Sequence, residues 1–487
     1  MPINGADVDV LVVGAGISGL VAAHTILCRS SANQLPRLTV LEASDRIGGV
    51  IATSTDSGYV VEHGPDSFLT TKPWALELCE KLDLGDQIIG TNSKHRRAFV
   101  AYNDALVPLP AGFMLMAPSQ LWSFFDSPVL SIDAKLRVMW EMFSAAGAQA
   151  DPTDESLKSF IVRRFGLELY ERIAQPMVAG IYTGDPSQLS ARATMPQFVE
   201  LQRKYGSVIR GLMLNEKRQD GGARYGAFAT LRGGMADLTK RLTERIGLDR
   251  IHLRTPVRSL RAADNRWCLT TAQGQEYRAD AVIFAVPPKI VAQIVCGLDP
   301  ALAASLSRIE SASSATINLL FQRDQINHPL DGFGFVVPER EQKSIIACSF
   351  SSVKFPGRAP KDKCLFRAFL GGALHPDVFA LSDGDLLKVA LRDLQTYLGL
   401  TSFPEEVWVK RWPESMPQYK VGHLEAVKEI KYAFAQHPGL IWSGNSLGGV
   451  GIPDCVKSGQ DAAALVNHFF ALLPSRLLTA PLPITTT

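Results

Sequence analysis

Several patterns are missing from this 487-residue sequence. No CxxC pair occurs among its seven cysteines (Cys28, Cys79, Cys268, Cys296, Cys348, Cys364 and Cys455), and their number is odd. That scatter argues against a disulfide framework and against a structural zinc site, leaving reduced, mostly packing thiols. No uninterrupted apolar run reaches the roughly 18 residues a bilayer crossing needs, so membrane contact is expected to be peripheral. Asp7 and Asp9, not basic residues, precede the first apolar run, and glycines interrupt residues 10–27. A signal peptide is therefore not expected. The charges nearly balance, with a formal net charge of +2 and no nucleic-acid motif, so no nucleic-acid partner is expected. Apolar residues are plentiful, at 46% against 20% charged, which is the composition of a globular chain. The length calls for two or three packed units.

The first eighty residues hold the densest pattern. Asp9–Val13 is a short β-branched run suited to a buried parallel strand. Gly14-Ala15-Gly16-Ile17-Ser18-Gly19 follows at once, and an alanine-rich helix is expected over residues 20–27. In such a turn the first glycine permits the tight bend and the second lets a pyrophosphate approach the backbone. The third lets helix and strand pack closely. The free amides and positive end of the helix then face the phosphates. A second strand, 38–41, ends in Glu42, where a carboxylate can accept hydrogen bonds from a ribose diol. Ala43-Ser44-Asp45-Arg46-Ile47-Gly48-Gly49-Val50 comes next, a segment nicotinamide enzymes do not need. Residues 59–65 read as a strand running into a sharp turn, and His63 there reads as structural.

The far end returns to the same kind of pattern. A short strand over 440–443 leads into Gly444-Asn445 and the loop 446–451, and a helix is expected from Ile452-Pro453. Residues 255–260 read as a third strand of the nucleotide-binding unit, followed by a hairpin-like stretch and a strand within 280–288. Between 88 and 203 the chain is helix-rich, with helical periodicity over 135–144 and 157–172. Residues 111–125 are very apolar and aromatic. They read either as core or as a monotopic anchor with Trp122 at the headgroup level.

Together these segments resemble the FAD-binding half of the amine-oxidase-like flavoproteins, which include amine oxidases, phytoene desaturases and protoporphyrinogen oxidases. Residues 182–190, 331–338, 351–360 with Phe355-Pro356-Gly357-Arg358, and Met416-Pro417-Gln418-Tyr419 ahead of Gly422-His423 are similar to the protoporphyrinogen oxidases in particular. The likeness covers nearly the whole chain. It implies an α/β plus α+β fold in three parts. These are a Rossmann-like FAD-binding domain from the discontinuous segments 1–70, 231–297 and 421–470, a mixed-sheet substrate-binding domain from 71–96, 201–230 and 298–420, and a helical membrane-associated domain over 97–200. Residues 471–487 are expected to be a flexible tail. The helical domain favours the anchor reading of 111–125.

The resemblance also implies FAD, held non-covalently, because Ser446-Leu447-Gly448-Gly449 lacks the cysteine some amine oxidases use. It assigns to the cofactor Gly14, Ala15, Gly16, Ile17, Ser18, Gly19, Glu42, Ala43, Arg46, Gly49, Val50, Gly64, Pro65, Asp66 and Ser67. Val257 serves the adenine side through its backbone, Trp412 lies against the flavin, and Val450, Gly451 and Ile452 present a helix N-terminus beneath it. No catalytic side chain and no metal are expected. The implied reaction, part of haem biosynthesis, is the six-electron oxidation of protoporphyrinogen IX to protoporphyrin IX, with dioxygen consumed and hydrogen peroxide formed. Arg97 would hold a propionate, against the plainer reading of a solvated basic turn, and Gly180 would present backbone to the pyrrole nitrogens. Coproporphyrinogen III is the alternative substrate; its four propionates call for a more basic pocket, and Lys72 is at hand. Amine oxidation and non-catalytic tetrapyrrole binding rank below. Peripheral attachment to the cytoplasmic face of a bacterial cell membrane is expected, with a mitochondrial membrane also open. The likeness leaves room for a homodimer and for hand-over of product to a downstream chelatase.

Overall fold

The computed structural model describes residues 9–29, 36–56, 58–143, 154–216 and 228–477. At its centre lies a five-stranded, fully parallel sheet ordered Ile251–His252, Arg37–Leu41, Asp9–Val13, Ala281–Phe284, Leu440–Trp442. Val10, Val12 and all of Ala281–Phe284 are buried, as β-branched strands covered on both faces should be. One face packs on the helices Ile17–Arg29, Ala236–Ile246 and Ile452–Leu477. The other packs on Pro288–Val295, Pro300–Ser307 and His423–Ala435. The first strand therefore sits mid-sheet, with Leu440–Trp442 two positions away at the edge.

A seven-stranded mixed sheet forms the second layer, ordered Glu406–Pro417, Ser311–Gln322, Lys363–Gly371, Ile345–Phe350, Gly334–Val336, Phe99–Tyr102, Ala105–Pro108. Its apolar face (Ile317, Leu319, Phe321, Phe350 and Phe366) closes on the helix Asp383–Leu398. A third core gathers short helices between 121 and 216 around Phe160, Phe165, Ile173 and Phe198. All seven cysteines are free.

Several expectations need correction. Residues 255–260 do not enter the parallel sheet: Val257–Ala263 opens a separate antiparallel sheet with Arg266–Thr271 and Glu276–Ala279. The third parallel position is filled by Ile251–His252, too short to carry a period. The helical part does not begin at 97, since Phe99–Tyr102 and Ala105–Pro108 complete the edge of the mixed sheet. Pro196–Tyr205 and Val208–Glu216 pack in the helical core, whereas Trp74–Lys81 packs on the parallel sheet. The helical pattern over 157–172 breaks at Gly166 (φ 93°) and resumes as the short helix Leu167–Leu169, then the π-helix Tyr170–Ala174. Residues 471–477 continue the last helix, and the rest of the tail lies outside the described residues.

The apolar segment 111–125 is largely core. Phe113, Leu115, Met116, Ala117 and Phe124 are buried, and Phe125 alone among its large apolar residues described is exposed; the Trp122 side chain lies outside the described residues. The exposed apolar row lies instead on the next helix, Ile132–Trp140, and the turn after it. No helix among the described residues is long and apolar enough to cross a membrane.

Candidate active site

The glycine-rich turn is built by the sheet beneath it. Gly14 N donates to Leu41 O (2.8 Å) and Ala285 N to Val13 O (2.8 Å), which fixes the bend between two strand ends. Gly14 needs a positive φ (105°), and a Cβ there would lie 2.7 Å from Ala285 O. A Cβ on Gly19 would overlap the Gly14 carbonyl, so it too is demanded by the fold. Gly16 differs: a Cβ there would meet nothing within 4 Å. The chain itself gives no reason for glycine at 16, and the open space in front of it is the reason that remains.

A second loop backs onto this turn. Gly48 N donates to Ala15 O (2.8 Å), and Gly49 lies against Gly16, where its own Cβ would stand 3.2 Å from the Gly16 Cα. Glu42 spans the two loops: its carboxylate accepts from Ala15 N (2.7 Å), Ser44 N (2.9 Å) and Ser44 Oγ (2.8 Å). Ala43 and Val50 are exposed beside it. Ile17 is buried, and Ser18 Oγ donates to Cys455 O (3.1 Å), so both face protein and offer the turn only their amides. Arg46 folds onto its own loop, donating to Ile47 O, Gly49 O and Ile51 O, and lies over the Trp412 ring. Thr255 N donates to Glu42 O and Arg254 N to Ser44 O (both 2.8 Å), which brings Val257 to the Glu42 side.

The turn after Tyr59–Glu62 is held from the mixed sheet. Trp412 Nε1 donates to His63 O (2.9 Å), and Arg367 Nη1 to Gly64 O (2.6 Å). Asp66 is buried with Pro65 and Ser67 about it; it accepts from Ser67 Oγ (2.7 Å) and pairs with Lys354 (3.0 Å) and Arg367 (3.2 Å). Burial alone would raise this carboxyl, yet the two cations hold it far below the usual range. Burial in turn lowers Lys354, which Asp66 opposes. Beside this cluster Glu62, raised by burial, faces Arg358 at 3.6 Å. Asp66 thus spends its charge inside the protein. Lys354 and Arg367 carry no local signal in the sequence, although Lys354 lies within the family-like segment 351–360.

The C-terminal loop meets the turn from the opposite side. Ile452 is buried at the start of the last helix, Val450 touches the helical core, and Cys455 N donates to Gly451 O (3.0 Å). Lys72 Nζ pairs with Asp454 at 2.6 Å, in the first turn of that helix. Tyr419, in the segment ahead of Gly422-His423, is only 1% exposed. Arg97 is half-exposed and paired with Asp331 (3.2 Å). Gly180 is exposed on the helix Gln175–Tyr182, where a Cβ would stand 3.8 Å from Val336 Cγ1. Since Phe333 N donates to Arg97 O (2.8 Å), Arg97 and Gly180 both border the segment 331–336.

Comparison with known proteins agrees with this geometry. Residues 17–467 match the family described as flavin containing amine oxidoreductase. The chain belongs to that family. It is 34% identical to the coproporphyrinogen III oxidase of Bacillus subtilis (strain 168), over 93% of this chain and 97% of that protein. It is 30% identical to the chloroplastic protoporphyrinogen oxidase of Nicotiana tabacum, over 96% and 86%. A solved structure from Exiguobacterium sp. 255-15, named provisionally as a protoporphyrinogen oxidase, superposes with a TM-score of 0.84 at 31% identity, covering 95% of this chain and 99% of that one.

The protein is thus a flavin-dependent oxidoreductase with a mixed α/β flavoprotein fold, and its cofactor is FAD. As a family member its turns make physical sense: the open face of Gly16, the Glu42 carboxylate and the amides at the start of Ile17–Arg29 suit a diphosphate joined to a ribose.

Proposed function

We propose that the chain catalyses the oxygen-dependent oxidation of a porphyrinogen to its porphyrin in haem biosynthesis, with coproporphyrinogen III as preferred substrate. The likeness to the Bacillus subtilis coproporphyrinogen III oxidase along 93% of the chain carries this reading. It reverses the order of the two substrates expected from the motifs, while the 30% identity to the tobacco enzyme keeps protoporphyrinogen IX as the second reading. When bound, FAD supplies the two-electron acceptor, and dioxygen restores it with release of hydrogen peroxide. Three rounds remove the six electrons, consuming three dioxygen molecules.

The protein's own work is binding and orientation. The Gly14–Gly19 turn, Glu42 and Gly48-Gly49 hold the diphosphate half of the cofactor, with Val257 on the adenine side. The turn 64–67, Trp412 and the 450–452 segment hold the flavin half. Arg97 meets a substrate carboxylate, exchanging its partly exposed partner Asp331 for it. Gly180 and Val336 give the macrocycle a close, apolar edge. Because aromatisation drives the reaction, no general base is assigned. Specificity constants for the two porphyrinogens, read side by side by porphyrin fluorescence and peroxide, test the reading. A higher value for protoporphyrinogen IX overturns the substrate order, and no turnover of either overturns the proposal.

Peripheral membrane contact belongs to the same proposal. Ile132, Leu136, Trp140 and Phe143 are 75%, 58%, 71% and 77% exposed, at spacings that put them on one face. A tryptophan within such a row suits a headgroup boundary. The cytoplasmic face of a cell membrane is the site we propose.

A further inference from the structure

The loop 444–451 is short of contacts of its own. Gly444 N is held by Ser458 Oγ (2.9 Å) and the Asn445 side-chain amide donates to Ser415 O (3.4 Å). One buried phenol, Tyr419, hydrogen-bonds the main chain at both Asn445 and Gly449, while His423 beside it meets the Ser446 carbonyl. Tyr419 Oη donates to Asn445 O and accepts from Gly449 N (2.9 Å), so a single hydroxyl closes both ends of a five-residue arc. Its ring lies flat on His423, with centroids 4.0 Å apart and planes 12° from parallel. Burial lowers His423 to about 4, so the stack is uncharged at neutral pH, and the Ser446 carbonyl beside the imidazole works against that shift. The Tyr419 main chain points the other way: its carbonyl accepts from Ser190 N (2.7 Å) in the helical part.

We propose that Tyr419, braced by His423, is the positioning residue that sets the arc 445–449 and, through it, where 450–452 meet the flavin. Two features support this beyond simple packing. Gly449 cannot be steadied by a side chain of its own, because a Cβ there would overlap the Asp454 carboxyl. The hydroxyl is also satisfied in both senses, as donor and acceptor, although a phenylalanine would fill the same buried space. The phenol thus registers the arc rather than merely filling a core. The proposal rests on the reading that 450–452 adjoin the flavin, and it concerns the enzyme's cofactor, not its substrate.

The test is Tyr419→Phe in the holoenzyme, which keeps the ring and the stack and removes both hydroxyl contacts. We expect the dissociation constant for FAD to rise by about tenfold, the loss of two ordinary hydrogen bonds, together with a displaced visible flavin spectrum and a changed reduction potential. A variant with wild-type affinity, spectrum and potential overturns the proposal. These readouts need no porphyrinogen, so a wild-type protein inactive on every porphyrinogen sinks the substrate reading alone. Should Tyr419→Phe misfold, hydrogen exchange at the Gly449 amide of the wild-type holoenzyme decides. Protection supports the proposal, and exchange at the rate of a free peptide overturns it.

Discussion

Gly16→Ala separates what the fold needs from what the cofactor needs. An added Cβ meets no atom within 4 Å, and the backbone there is outside the left-handed region. The apoprotein should therefore accept alanine without strain, gaining about 0.4–1 kcal/mol from a less flexible unfolded chain. The methyl group occupies the space in front of the turn, however, and pushes a diphosphate off the amides. Losing one charge-assisted hydrogen bond costs about 1.5–3 kcal/mol, so FAD affinity should fall by about tenfold to a hundredfold. Gly19→Ala is the contrast. Its Cβ overlaps the Gly14 carbonyl and comes within 3.2 Å of the Ala285 Cβ, so the fold itself should lose about 1–3 kcal/mol. Apoprotein melting and calorimetric titration with FAD give both numbers for both variants. The reasoning is refuted if Gly16→Ala binds FAD like the wild type, or if its apoprotein is as destabilised as that of Gly19→Ala.

Asp66→Asn leaves Lys354 and Arg367 buried without their carboxylate and should cost about 3–5 kcal/mol in urea denaturation; a loss under about 1 kcal/mol would show the cluster to be idle. In the wild type this carboxyl sits far below its unfolded range, so its stabilisation is complete at neutral pH and fades only in strong acid. His423 acts in milder acid: between its unfolded value of 6.5 and about 4 only the unfolded chain takes up the proton, so stability falls as pH drops through that window. The loss should reach at most about 3 kcal/mol, and His423→Phe should flatten that slope in denaturation curves taken from pH 7 to pH 4. Trp140→Ser with Phe143→Ser should weaken sedimentation with anionic vesicles while leaving melting unchanged, both side chains being over two-thirds exposed; equal sedimentation removes this face from the membrane reading.

What could be read in the sequence was what is local. Asp9–Val13, its glycine turn and the start of the last helix at Ile452 appear where pattern and capping place them, since strand, turn and helix lie within a few residues of one another. The third parallel strand escaped because Ile251–His252 is two residues long, while the longer strand Val257–Ala263 beside it drew the assignment. The Asp66–Lys354 pair joins residues 288 positions apart and leaves no local signal. Residues 111–125 show why apolarity without a period is ambiguous: the same composition serves a core or a surface, and here the core took it. The exposed row at 132, 136, 140 and 143 did have helical spacing, masked by its more apolar neighbour.

The parallel sheet has a consequence for how the polypeptide matures. Ribosomes release chains from the N-terminus, yet the strand Asp9–Val13 and its turn are completed by Ala281–Phe284 and Leu440–Trp442, and Ser18 bonds a residue 437 positions away. Until the last tenth of the chain emerges, Ala281–Phe284 is an open, apolar edge strand, a hazard in any crowded cell. The cradle for FAD is likewise unfinished throughout synthesis. FAD can load only once the segment 440–452 has been made, and a product truncated before residue 440 should be an aggregating, colourless protein.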